Sequence, residues 1–320
     1  MAPVSKYIWM DGELLPYEKA TVHFMTPALH YGLGVFEGIR CYETSQGPAV
    51  FRLRDHLQRL LDSVKIFGIL EFGYTLDDLQ QAVNQTILAN ELTSCYIRPL
   101  VYAGSGSFDL NLDNTRPSIG IAVWDWGTYL GEEALEAGVK MLVSSFTRLH
   151  PNVSMTKAKI SGNYVNSVLA KTMAERAGFN EAIMLDPEGL VAECTGENLF
   201  LVRDGLIYTP PRGTILEGVT RDSIITLAGD LGYTVLEEPI SRDQLYVADE
   251  VFVCGTAAEC VAVSEIDYRM IGQGRMGPVT RQLQQAFFET VRGDGARSAE
   301  WLDYVTVEAK IPDMSRTDSA

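Results

Sequence analysis

Apolar and polar positions along this chain follow two different periods, and the switches between them mark out its elements. Residues 7–10 and 14–16 are short apolar-rich runs around Asp11-Gly12, a dipeptide that favours the positive φ angles of a two-residue hairpin turn. Leu57, Leu60, Leu61, Val64 and Phe67 then recur at helical spacing, which predicts an amphipathic helix over about Leu53–Phe67. Residues 96–101 alternate as a strand, with Pro99 pointing to an edge or an interrupted ladder. Gly104-Ser105-Gly106-Ser107 breaks that pattern into a loop, and residues 119–124 read as a buried strand. The stretch Trp126-Gly127-Thr128-Tyr129-Leu130-Gly131 reads as a connection between domains, so the boundary falls near residue 130.

The second half opens with a strand over 140–144. It continues with a helix over about 164–177 that carries Val165, Val168, Leu169 and Met173 and stops at Gly178. Residues 182–185 and 190–193 flank Asp186-Pro187-Glu188-Gly189 as a hairpin, and residues 199–202 and 206–209 flank Asp204-Gly205 as another. Thr220 opens a helix that Gly232 closes, and residues 251–256 form a strand that runs into a tight turn. No internal repeat is present. The residues after about 307 are polar and read as a mobile tail. These elements predict a mixed α/β (α+β) chain of two domains, 1–130 and 131–320.

Composition narrows the function classes. A chain of 320 residues with 46% hydrophobic content supports two buried cores. A net charge of −16 argues against nucleic acid and anionic membrane surfaces as partners. No stretch reaches the roughly 18 uninterrupted apolar residues of a membrane span, and the first residues lack an apolar signal core. The 5 cysteines form no C-x-x-C pair and read as reduced thiols of a cytoplasmic protein. The 4 histidines show no metal-ligand spacing, so no metal is expected. Gly272-x-Gly274-x-x-Gly277 has the form of a dinucleotide fingerprint, but it follows no βαβ unit and Pro278 starts a helix, so that reading is rejected.

The chemistry concentrates in two segments. Among only eight lysines, Lys157 and Lys159 sit in Thr156-Lys157-Ala158-Lys159-Ile160-Ser161-Gly162-Asn163-Tyr164, read as a strand-to-helix junction. Glu193-Cys194-Thr195-Gly196-Glu197-Asn198-Leu199-Phe200 follows about thirty residues later. A lone lysine is far more often solvated than catalytic, and Glu193 by itself reads as an exposed edge carboxylate. Taken together, an amine, a phenol and a carboxylate in this order suit Schiff-base chemistry on an aldehyde cofactor. Small residues beside the lysine let such a cofactor approach the backbone.

With Phe36-Glu37-Gly38-Ile39-Arg40 and Tyr96-Ile97-Arg98-Pro99, these segments resemble the fold-type-IV pyridoxal-phosphate enzymes, and among them the branched-chain amino acid aminotransferases. The resemblance runs from about residue 7 to residue 305. It implies a small N-terminal α/β domain and a larger cofactor-binding domain with a pseudo-barrel of strands. It makes Lys159 the catalytic amine that carries pyridoxal 5'-phosphate, with Tyr164 on the ring hydroxyl and Glu193 on the ring nitrogen. Arg59, Val219, Thr220 and Thr256 would hold the phosphate. Tyr31, Phe36, Gly38, Arg40, Trp126 and Tyr129 would line the substrate pocket. Tyr96, Thr256 and Ala257 would meet the α-carboxylate, and Arg98 the distal carboxylate of glutamate. The implied substrates are leucine, isoleucine and valine with their 2-oxo acids, and the implied assembly is a homodimer or a hexamer.

The stretch 105–111 departs from the family's pattern in a loop that covers a neighbouring subunit's pocket, and this leaves substrate breadth open. A D-amino acid or (R)-amine transaminase and an aminodeoxychorismate lyase remain as alternatives within the fold. A non-catalytic binding module is the alternative from another class.

Overall fold

The computed structural model of the protein describes residues 5–69, 71–127 and 137–306. Tyr129, the boundary expected near residue 130 and the tail after 307 lie outside the described residues. The chain divides into two units, Met1–Trp126 joined by Ala299–Ala320, and Gly127–Ser298.

The first unit contains β1 (Tyr7–Met10), β2 (Glu13–Pro16), β3 (Gly34–Phe36), β4 (Ile39–Thr44), β5 (Gly47–Phe51), β6 (Cys95–Gly106) and β7 (Thr115–Trp124). The first hairpin forms where its turn signal stands, with Asp11 and Gly12 at φ 47° and 103°. The Leu53–Phe67 helix buries Leu53, Leu57, Leu60 and Val64. A second helix, Leu76–Asn90, is opened by a capping box between Thr75 and Asp78.

One expectation for β6 is resolved and another is corrected: of the edge or interrupted ladder that Pro99 signals, the structure has the interrupted ladder. Pro99 lies on no edge, because β6 pairs with β7 on one side and with β3 and β4 on the other. In an extended strand a residue's N–H and C=O point the same way, and the Pro99 carbonyl accepts from the Glu37 amide at 2.9 Å. The missing proline donor therefore faces Glu37 and Gly38, where the partner chain has already left the ladder between β3 and β4. Nor do the glycines after Ala103 end the strand. It runs on to Gly106 through a register shift between Ala103 and Ser105. A Cβ on Gly104 would lie 2.4 Å from Ser118 Oγ, so glycine permits the close approach of β7 there.

The second unit is built on a curled sheet of β8 (Val139–Val143), β9 (Glu181–Leu185), β10 (Val191–Cys194), β11 (Asn198–Arg203), β12 (Leu206–Thr209), β13 (Val235–Glu237), β14 (Glu250–Gly255), β15 (Glu259–Ile266) and β16 (Arg269–Met270). Their order is β10-β9-β8-β15-β14-β11-β12-β13, with β16 on β15. Pairing is mixed, parallel at β8–β9, β8–β15 and β12–β13 and antiparallel elsewhere. The sheet is buried on both faces. Leu199, Leu201, Val251 and Val253 pack with Ile240 and Leu245, while Phe200 and Phe252 on the opposite face stack at 4.9 Å, directly paired between β11 and β14. The last strand, β17 (Leu302–Tyr304), pairs with β5, so the C-terminal segment belongs to the first sheet although the sequence groups it with the second half.

Three local features are set by the structure. Residues 155–159 are irregular turns, so Lys159 follows a loop and not the strand expected at this junction. The Tyr164–Arg176 helix buries its small residues Ser167, Ala170 and Ala174 and leaves Val165, Val168 and Leu169 exposed. Thr220 is not a cap: Gly218 is the N-cap of the Val219–Asp230 helix, and Thr220 is its second residue.

The stacked pair generates a stability test. Phe252→Ala removes one fully buried ring from between two central strands and should cost about 3–5 kcal/mol. Urea unfolding of the two proteins measures the loss.

Candidate active site

The second unit holds the amine, the phenol and the carboxylate that the sequence singles out, Lys159, Tyr164 and Glu193. The short Ser161–Asn163 turn and the helix after it place Tyr164 so that Lys159 Nζ donates to its hydroxyl at 2.6 Å. An amine and a phenol in hydrogen-bond contact can exchange a proton, and each orients the other. Lys157 is engaged elsewhere. Its Nζ donates to the carbonyls of Arg212 and Ile215 and pairs with Glu217 Oε1 at 3.2 Å, which ties the lysine segment to the 212–217 loop.

Glu193 is buried on β10, not exposed on its edge. Its Oε2 accepts from the Leu216 amide at 3.1 Å and from Asn198 Nδ2 at 3.2 Å. Arg148 Nε lies 2.7 Å from Oε1, a charge contact in which the N–H is not aimed at the oxygen. Burial pushes the Glu193 carboxyl above its ordinary value, against the opposing pull of Arg148, the Leu216 amide and Lys159. A cation placed against this carboxylate would draw it back down and be held in turn.

The turn that leads into the Val219–Asp230 helix is tied to the same carboxylate. Asn198 Nδ2 also donates to the Leu216 carbonyl at 3.2 Å, and its Oδ1 packs on Gly218 so closely that a Cβ there would lie 2.1 Å away. No side chain caps this helix start, where Val219 and Thr220 are both buried. Uncapped amide N–H groups with a positive dipole end form a seat for an anion. Thr256 and Ala257 lie in the turn between β14 and β15.

Neighbouring acids form a second buried cluster. Glu181 accepts from Thr195 Oγ1 at 2.7 Å, from the Ala182 amide at 2.6 Å and from Lys171 Nζ at 2.9 Å. Glu197 is pushed up by its burial and by the charge of Glu181.

In the first unit, Tyr96, Arg98, Phe36, Gly38 and Trp126 come together, with Trp124 added by the structure. The Arg98 guanidinium lies over the rings of Phe36, Tyr96 and Trp124 at 4.7, 5.3 and 5.9 Å, and its Nη2 donates to Tyr96 Oη at 3.3 Å. Trp126 meets Tyr96 edge-on at 4.3 Å. A Cβ on Gly38 would fall 1.9 Å from Tyr96 Oη, so any other residue there would displace the Tyr96 ring. Arg98 Nε is buried without a partner, and no carboxylate among the described residues pairs with this arginine. Arg40 stands over the Tyr42 ring at 5.5 Å. Tyr31 packs elsewhere, against His30 and Phe108 at 6.3 and 6.0 Å. Arg59 forms a bidentate pair with Glu37.

The donor set of the second unit fits pyridoxal phosphate. Lys159 suits its aldehyde, Tyr164 its hydroxyl, Glu193 its ring nitrogen and the helix start its phosphate. The sequence reading passes over Arg148, Asn198, the Leu216 amide and Glu37. Asn198 stands inside a motif already singled out, and Glu37 inside another. Arg148 has no local signal, since a single arginine in a polar stretch marks nothing until the fold brings it to Glu193.

The family model for amino-transferase class IV matches residues 34–266. The branched-chain-amino-acid aminotransferase of Pseudomonas aeruginosa is 49% identical over 305 residues, covering 95% of this chain and 99% of that protein. The crystal structure of the Escherichia coli branched-chain amino acid aminotransferase superposes with a TM-score of 0.92 at 47% identity, covering 95% of this chain and 100% of that one. The branched-chain amino acid aminotransferase of Thermobaculum terrenum, in its PLP form, superposes at 0.87 with 36% identity, over 94% and 99% of the two chains.

The buried carboxyl at 193 has a pH signature. An acid whose folded pKa is raised stabilises the fold while it is protonated. In the ligand-free protein that contribution is present below its ordinary value of 4.5 and is lost as the pH rises through the raised folded value. Glu193→Gln should therefore flatten the decline of ligand-free stability above pH 4.5, which urea unfolding across a pH series measures.

Proposed function

This chain belongs to the class IV aminotransferase family, and we propose that it transfers the amino group between leucine, isoleucine or valine and 2-oxoglutarate, with pyridoxal 5'-phosphate as its cofactor. The observation that carries this reading is the contact of Lys159 with Tyr164 in the same unit as a buried, arginine-paired Glu193. When bound, the cofactor supplies an aldehyde that receives the amino group and a ring that withdraws electrons from the substrate α-carbon.

The protein's own residues do the rest. Lys159 Nζ would hold the cofactor at its aldehyde and, when free, would move the α-proton as a general base. Tyr164 keeps a hydroxyl against that amine and orients it. Glu193 keeps a proton on the ring nitrogen, and Arg148, Asn198 and the Leu216 amide hold its carboxylate still. Val219 and Thr220 at the helix start, with Thr256 and Arg59, bind the phosphate.

Substrate recognition has two parts. Phe36 and Trp126, with Tyr129, receive the aliphatic side chain, beside Gly38 and Arg40. Tyr96, Thr256 and Ala257 receive the α-carboxylate. Arg98 answers the second requirement, because one pocket must accept both a branched alkyl group and the distal carboxylate of glutamate. A guanidinium set among aromatic rings presents apolar faces to the first and a charged fork to the second. The same reading makes the protein a cytoplasmic homo-oligomer. Its five buried cysteines, all free of disulfides, suit a reducing compartment, and the exposed Val165, Val168 and Leu169 suit a subunit contact.

Two outcomes test this. Lys159→Ala should fold normally and abolish 2-oxo acid formation from leucine, whereas Lys157→Ala keeps the chemistry; activity that survives the first change and disappears with the second would overturn the assignment. Arg98→Ala should impair the half-reaction with 2-oxoglutarate about ten- to a hundredfold more than that with leucine, the weight of one charged hydrogen bond. The absorbance change of the cofactor in separate half-reactions measures both, and equal losses would make Arg98 a structural residue.

A further inference from the structure

Between β3 and β4 the chain leaves its ladder for two residues, and the first of them, Glu37, turns a carboxylate into the core at 0% exposure. A buried carboxylate is costly unless donors surround it. Glu37 has them: Arg59 Nε reaches Oε1 at 2.6 Å, while Arg59 Nη2 and His56 Nδ1 each reach Oε2 at 2.8 Å, and the Gly38 amide reaches it at 3.2 Å. His56 and Arg59 are three residues apart on the Leu53–Phe67 helix, so one face presents both to the same acid. Burial alone would raise the Glu37 carboxyl, but Arg59 and His56 hold it well below the usual carboxylate range. It therefore stays ionised and can only accept, which makes His56 Nδ1 the proton-bearing nitrogen.

We propose that Glu37 is a positioning residue for the cofactor phosphate: its carboxylate, steadied by His56 and the Gly38 amide, sets the plane and direction of the Arg59 guanidinium. This rests on the reading that assigns the phosphate to Arg59. A long arginine side chain samples many rotamers, and ordering it on binding weakens any anion contact it makes. Bidentate pairing to a buried acid removes that freedom before the anion arrives. The main chain of Glu37 is pinned independently by the hydrogen bond its N–H donates to the Pro99 carbonyl, so the carboxylate can be altered without freeing the strand.

The test compares two ligands that differ only in the phosphate. The full chain, freed of cofactor, is titrated with pyridoxal phosphate and with pyridoxal while its tryptophan fluorescence is followed. Glu37→Gln should weaken pyridoxal phosphate about tenfold or more, the loss expected when a charged hydrogen bond is misdirected, and leave pyridoxal unchanged. Glu37→Asp keeps the charge but shortens the reach, and it should lose part of the same preference even if the glutamine variant fails to fold. Equal losses for both ligands would mean that Glu37 only stabilises the fold, and the inference would be overturned. Arg59→Ala separates the two claims. If it leaves pyridoxal phosphate binding intact, the phosphate assignment fails; if it weakens binding while both Glu37 variants do not, only the positioning role fails.

Discussion

A carboxylate taken out of water needs donors for both of its oxygens, and the layout of the second unit follows from meeting that need at Glu193. The side chain sits on β10, and its partners come from three separate places: Arg148 beyond β8, Asn198 at the start of β11, and the backbone amide of Leu216 in the loop before the Val219–Asp230 helix. Because Asn198 also bonds the Leu216 carbonyl and packs on Gly218, the acid, the strand and the helix start are fixed as one assembly. The position of the anion seat at the helix start therefore depends on the position of the carboxylate. Lys157 secures the same loop from the lysine side through the carbonyls of Arg212 and Ile215.

The first unit solves a related problem differently. Arg98 is given no acid, and its charge is accommodated by the faces of Phe36, Tyr96 and Trp124. Cation–π contacts of this kind are worth about 0.5–2 kcal/mol each, and unlike a fixed acid they leave the guanidinium able to bind a carboxylate that arrives and leaves. Arg59, in the same unit, is instead locked to Glu37. One arginine is left receptive and the other is immobilised, and the difference lies in whether an acid from the protein shares its site.

Much of the architecture was legible along the chain. Where the apolar period was unambiguous and a turn residue with positive φ closed the element, as at Asp11-Gly12 and at the Leu53–Phe67 helix with Gly68 behind it, the expected element is the observed one. The gaps share one cause. Pro99 left an edge and an interrupted ladder equally open, and Gly104 and Gly106 look like strand breakers, because local rules assume a regular neighbour. The neighbour here is irregular: the chain opens opposite Pro99, and β7 comes close enough at Gly104 to demand the absence of a side chain. In the Tyr164–Arg176 helix, too, the surroundings decide the buried face: Val165, Val168 and Leu169 face outward, and Ser167, Ala170 and Ala174 face the core.

The candidate site divides along the same line. Sequence by itself singled out an amine, a phenol and a carboxylate in the order Lys159, Tyr164 and Glu193, and close spacing brings the first two into contact. Only the tertiary structure decided which charges are compensated. Glu193 meets Arg148 from a distant part of the chain, and Glu37 meets His56 and Arg59 from a different element, whereas Arg98 meets no acid at all among the described residues. Identity travels with the residue, but electrostatic environment depends on distance and burial, and both are set by parts of the chain that a local reading cannot bring together.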